Sequence, residues 1–292
     1  MFREEEIDIE RQFDPYRHWI NGNPENDQYW HHQAQEGQAL LVMDALRDLM
    51  GAGVTYSARV DAGTPHTHLR FGVARRAKAL WGALRSLHAN VPPDRAAPMN
   101  HDEVEVVSRD LNVIYINIRG LLDNLAWAVV HQFGTGATKQ IAPVQIGLFR
   151  RTLSQDDNLS PLAETLAEYQ QWDRDISERR DPAAHRIPLS VAPSVLDEAA
   201  QAEWNRLKAE YDAVFAAAIA AASDRRADVD QSFARVSEAH ARLQSVGRFL
   251  PWFGHDYAER QNPIYPTVPQ DLAMMLKVSA RVFTFMDERL AA

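Results

Sequence analysis

The 292-residue chain contains no cysteine, which excludes disulfide staples, zinc–thiolate centres and thiol catalysis together. It also lacks a long apolar run. The longest, such as Ala213 to Ala222 (AVFAAAIAAA), fall far short of the roughly 20 residues a membrane span requires. The opening MFREEEIDIERQF is acidic where a secretory leader would be basic and then apolar. A soluble, cytoplasmic protein without a membrane partner is therefore expected. G-x-x-x-x-G-K-[ST], G-x-G-x-x-G and G-x-S-x-G are missing, so nucleotide-binding loops and serine-hydrolase elbows have no support. H-E-x-x-H is missing too. Neighbouring His31 and His32 would point about 100° apart on a helix, and His66 and His68 lack a third ligand. No metal and no cofactor is expected. Internal repeats and low-complexity tracts are also absent.

What remains suits a globular chain with a sizeable core: 46% of residues are hydrophobic and 24% charged. The net charge of −9 argues against a general nucleic-acid coat protein, because phosphate binding is driven by Lys and Arg. A local basic groove is still open to it. Arg70, Arg75, Arg76, Lys78, Arg85 and Arg95 fall in a segment with few acids, and Arg150 and Arg151 form a second basic pair. A solvated helix face is the plainer reading of such a run.

Helical periodicity dominates. A helix is expected from Asn23-Pro24-Glu25 to about Met50, where GAG ends it. Turn residues follow at Asp61 to Pro65, then a second helix over about Leu69 to Ala89 that buries Ala77, Leu80, Trp81, Leu84 and Leu87. The clearest helix runs from about Asp102 to Gln132, with Leu111, Ile114, Tyr115, Ile118, Leu121, Leu122, Leu125 and Val129 as an unbroken apolar stripe. Beside that stripe Asn117, Asn124 and His131 recur every seven residues, and Arg119 and Asp123 are four apart. Gly134 to Gly147 reads as a long loop with a short strand at PVQIGLF. Further helices are expected at about Ser160–Ser177, at Ser194–Ala222 and Asp228–Leu250 as an antiparallel pair joined through SDRRAD, and at Leu272–Leu290. The fold class is all-α, a bundle of about seven helices. Residues 1–22 form an arm, 23–250 the bundle, and 251–292 a Pro- and aromatic-rich segment with the last helix.

One short stretch carries chemistry: ERRDPAAHRIPL, from Glu178 to Leu189. Arg180 and His185 are five positions apart, so on a helix or tight turn both can serve one pocket, with Asp181 to orient either. Arginine grips an anionic phosphate and stabilises its growing charge. Histidine titrates near neutrality and moves the proton of an attacking hydroxyl. The structural alternative is a capped turn, with Pro182 at its first position and the polar side chains on local carbonyls. Prolines 188 and 193 keep the following segment extended.

An arginine, a polar residue and then a histidine in an all-α protein, after an amphipathic helix such as YINIRGLLDNLAWAVVHQ, resembles the HEPN superfamily. Within it the chain looks like a group of uncharacterised bacterial proteins, over about residues 111–250. The resemblance implies a dimerising bundle in which the Arg/His motifs of two subunits share a cleft and cut RNA without metal. Arg180, Asp181 and His185 would then be catalytic, with Asn117, Asp123, Asn124 and His131 as support. A toxin, a phage-defence effector or a non-catalytic scaffold with a protein partner, such as an antitoxin or defence subunit, would all fit.

Overall fold

The computed structural model describes residues 27–223, 228–256 and 261–291. The arm at 1–22, the helix start at Asn23 to Glu25, the side chain of His31 and the centre of the SDRRAD turn lie outside the described residues. The described residues are 75% helical with a small three-stranded sheet, which makes the fold all-α.

Helix α1 spans Asp27–Ser57. Gly51 and Gly53 do not end it near Met50 as expected. Gly53 instead fits closely against the Leu69 carbonyl oxygen and Ala74, where a Cβ would sit about 3.1 Å from backbone atoms. The glycine serves a close helix approach, not a stop. After a turn at Gly63, which has a positive φ of 112°, the chain re-enters helix earlier than the periodicity indicates. A short α2 (Thr64–Thr67) leads into a π-helical segment at His68–Val73 and then α3 (Ala74–Asn90). Pro65 occupies the first turn of α2, where its missing N–H costs nothing.

Helix α4 (His101–Phe133) is the hub. Asn100 and Glu103 form a reciprocal capping box at its start, both bonds 2.9 Å long. Arg95 grips Glu103 through two bonds of 2.9 and 3.0 Å. Arg95 is thus a structural clamp and not part of a basic groove. The eight residues of the expected stripe are all buried. By length and composition α4 also passes as a membrane-crossing helix. The physical reason is that α3, α7 and α10 pack around it, and a helix covered on most sides is apolar on most sides.

The segment after α4 contains 3-10 turns at Thr138–Gln140 and Pro143–Gln145, with no strand at PVQIGLF. Short helices α5 (Arg151–Ser154) and α6 (Ser160–Thr165) precede α7 (Gln170–His185). α7 therefore continues through the motif rather than ending at Ser177, and Pro182 lies inside its last turn. Strands β1 (Ser190–Val191), β2 (Trp252–Gly254) and β3 (Asn262–Pro263) form an antiparallel sheet in that order. Between β1 and β2 comes a hairpin of α8 (Glu198–Ala222) and α9 (Val229–Gln244). Helix α10 (Ile264–Ala291), broken near its start at Tyr265, closes the core against α1, α4 and α7.

Candidate functional site

The motif occupies the C-terminal end of α7, and the inner face of that helix explains its placement. Trp172 and Ile176 are buried, and Arg179 follows them inward. Its guanidinium donates to Asp271 of α10 at 3.1 Å. The same carboxylate accepts from the Tyr115 hydroxyl at 2.9 Å and the Trp172 indole at 3.2 Å. Asp271 is 6% exposed. Burial raises its pKa, and Arg179 is the charge that most opposes the rise. This knot fixes α7 against α4 and α10. None of its four residues was singled out as a site residue in the sequence. Their spacing of 92 to 156 positions leaves no local signal.

One residue on, about 100° around the helix, Arg180 projects to an adjoining side. It pairs with Asp181 at 3.0 Å, and its side chain is 29% exposed. Its Nε is buried with no hydrogen-bond partner. His185 is exposed at the helix end. Arg180, Asp181 and His185 line one open concavity with Ser177, Glu178, Pro182 and Arg186. Asp181 and His185 are exposed, while Arg180 is partly buried. Beyond it the chain is extended as Pro188 and Pro193 require. Asn112 takes both backbone groups of Leu189, at 2.8 and 2.9 Å, and His255 Nδ1 donates to the Ile187 carbonyl at 2.8 Å.

The polar line on α4 divides. Asp123 faces the motif. Burial raises its pKa, while Arg119, Arg180 and Arg76 pull it back, in that order. Asp173 on α7 behaves alike: burial raises it, and Arg119, which bonds it directly, leads the charges that lower it, followed by Arg150. Five arginines, Arg76, Arg119, Arg150, Arg174 and Arg180, thus act on two partly buried carboxylates between α4 and α7. Asn117 and Asn124 look elsewhere. Asn117 accepts from Arg76 at 3.0 Å. Asn124 donates to the Gly120 carbonyl and accepts from His68 Nδ1 at 2.7 Å. These two asparagines lock α4 to α3 and the π-helical segment, so their support of His185 is not direct. Glycines make the lock possible. A Cβ at Gly72 would collide with Asn124, and one at Gly120 with the Arg76 guanidinium. An isolated glycine inside a helical pattern was the sequence signal for both.

His68, Trp127 and His131 form a stack, with ring centroids 5.1 Å apart on each side of the indole. Burial lowers the His131 pKa, assisted by the nearby charges of His68 and Lys139. His66 bonds the Ser57 carbonyl oxygen, away from His68. Among the described residues no group of three His, Asp or Glu side chains is placed to hold a metal ion.

The basic candidates converge only in part. Arg76 and Arg150 join the field of Asp123 and Asp173. Arg70 and Arg75 lie over the exposed Phe71 ring, at 6.0 and 4.8 Å, and Arg85 over Trp81 at 4.4 Å. Lys78 is exposed on the same helix. Arg150 and Arg151 border a separate hollow beside Ser154, Ser160 and Gln170. Compared with protein-family models, with curated proteins and with solved structures, the chain has no match.

Proposed function

We propose that the protein is a HEPN-like, homodimeric, metal-independent endoribonuclease. The observation that carries the reading is that Arg180 and His185 line one open concavity, with the imidazole free of any local carbonyl. Arg180 has spent one Nη1 contact on Asp181, which orients the guanidinium and leaves donors for a scissile phosphate. His185 accepts the proton of a ribose 2′-hydroxyl. The 2′-oxygen attacks phosphorus, the bond from phosphorus to the 5′-oxygen breaks, and that oxygen takes up a proton. The products are a 2′,3′-cyclic phosphate end and a 5′-hydroxyl end. Arg76, Arg119 and Arg150 around Asp123 and Asp173 give the approach a positive excess. A toxin or phage-defence role is consistent with such an activity.

The rival reading is a non-catalytic, dimerising scaffold. The Arg180–Asp181 pair and the acidic net charge favour it. Incubating the purified protein with total RNA and tRNA in EDTA separates the two. The nuclease cuts, and Arg180→Ala and His185→Ala each abolish cutting without loss of helicity. Intact RNA with the folded parent protein favours the scaffold.

A further inference from the structure

Helix α3 and the π-helical segment before it give one side to the core and the other to solvent. Leu69 and Val73 of the segment are buried, as are Ala77, Leu80, Ala83, Leu84 and Leu87 of α3. Gly72 sits so close to Asn124 of α4 that a Cβ would collide, which fixes the segment's inner side. Next to it Phe71 is 45% exposed. His66 meets that ring edge to face, with centroids 6.4 Å apart. At about 100° per residue, Arg75, Lys78, Trp81 and Arg85 fall within about 120° of one another, away from the buried leucines.

The cations on this side are unneutralised. No Asp or Glu occurs between Asp61 and Asp94, so no acid three or four residues away can pair with them along the helix. Arg70, Arg75, Lys78 and Arg85 are exposed. Their side chains make no ion pair or hydrogen bond among the described residues. Elsewhere Arg59, Arg95, Arg119 and Arg179 each bond a carboxylate. The arginines of the α3 face meet rings instead. Arg75 and Arg70 lie over Phe71 at 4.8 and 6.0 Å, and Arg85 lies over Trp81 at 4.4 Å.

We propose that this face binds a single-stranded nucleic acid, holding its phosphates by charge and its bases by stacking. Unpaired guanidiniums and an ammonium supply the electrostatic half. The exposed Phe71 ring supplies the other half, because every unpaired base has a π-face and aromatic stacking tolerates any sequence. An acidic peptide would use the charges and leave the ring without a matching partner. A membrane-surface helix lays its apolar face into the lipid, and the apolar face of α3 is already spent on the core. Arg75 and Arg85 are about 15 Å apart along the axis, room for about four stacked nucleotides at about 3.4 Å each. The inference goes beyond the ribonuclease reading, since holding a strand needs neither Arg180 nor His185.

The test is fluorescence anisotropy of labelled oligothymidine with the full chain in EDTA, with helicity followed by circular dichroism. That strand has no 2′-hydroxyl, so binding is read apart from any cleavage. Binding is expected at about 10 μM or tighter in about 50 mM salt, with four phosphate contacts giving a slope of log affinity against log salt of about −2.8. Phe71→Ala should weaken binding about 10-fold at an unchanged slope. Arg75→Gln/Arg85→Gln should cut the slope to about −1.4. Arg235→Gln, an exposed cation on α9, should change neither quantity. No binding up to about 100 μM protein overturns the proposal, even if the protein binds phosphatidylserine vesicles. So does a duplex with oligodeoxyadenosine that binds as tightly as the single strand, or a Phe71→Ala variant of parental affinity, since charge alone would then account for binding.

Discussion

On the inner side of α7, the partly buried Arg179 bonds Asp271, which also accepts from Tyr115 and Trp172. On its other side, Arg180 and His185 line an open hollow, where Arg180 bonds Asp181 and its charge also acts on Asp123. The two arginines are neighbours in sequence and identical in chemistry, and the turn of about 100° between them gives one a carboxylate on another helix and the other a place beside an open hollow. The inner one draws its energy from burial and from partners that have no alternative. The other bonds Asp181 through Nη1, with its Nε buried and its charge acting on Asp123.

The comparison can be broken first on the inner face. Asp271→Ala leaves the partly buried Arg179 guanidinium unpaired and two buried donors without an acceptor. It should cost about 3–5 kcal/mol, read as a lower urea midpoint at an unchanged slope. The lock between α4 and α3 comes next. Gly120→Ala forces Arg76 out of place and should cost about 1–3 kcal/mol. Gly82→Ala meets open space in α3 and should stabilise by about 0.5–1 kcal/mol, so two glycine substitutions are expected to have opposite signs. The cap of α4 is smaller. Asn100→Ala should cost about 1 kcal/mol. Arg95 bonds first, and the Asn100 backbone bond with them, hold the Glu103 carboxyl below its ordinary range. The folded pKa lies below the unfolded one, so this stabilisation is full at neutral pH and fades as pH falls through the unfolded and then the folded value. Glu103→Gln should flatten the acid limb of a stability–pH curve. Smallest of all is the outer face: Arg180→Ala should change stability by no more than about 0.5 kcal/mol.

The same division decides what was legible in the sequence. The stripe from Leu111 to Val129 was readable because burial against several helices repeats at one period, and all eight residues are buried. The extended run after His185 was readable from Pro188 and Pro193. The end of α1 was misplaced because Gly51 and Gly53 resemble a stop, whereas Gly53 permits contact with Leu69 and Ala74. Arg95 looked like part of a basic tract because its partner Glu103 lies across a turn, eight residues away. The asparagines at 117 and 124 face the Arg76–His68 side of the molecule rather than His185. Asp271 carried no signal, since its three partners come from distant positions that only the fold assembles.

The most direct measurement makes Arg179→Ala and Arg180→Ala and assays each for unfolding free energy and for RNA cleavage in EDTA per folded molecule. Arg179→Ala is expected to lose several kcal/mol, because it leaves the buried Asp271 carboxylate without its cation. Arg180→Ala should unfold like the parent and cut at least about 100-fold more slowly. Parental cleavage by Arg180→Ala, or equal stability losses in the two variants, would contradict it.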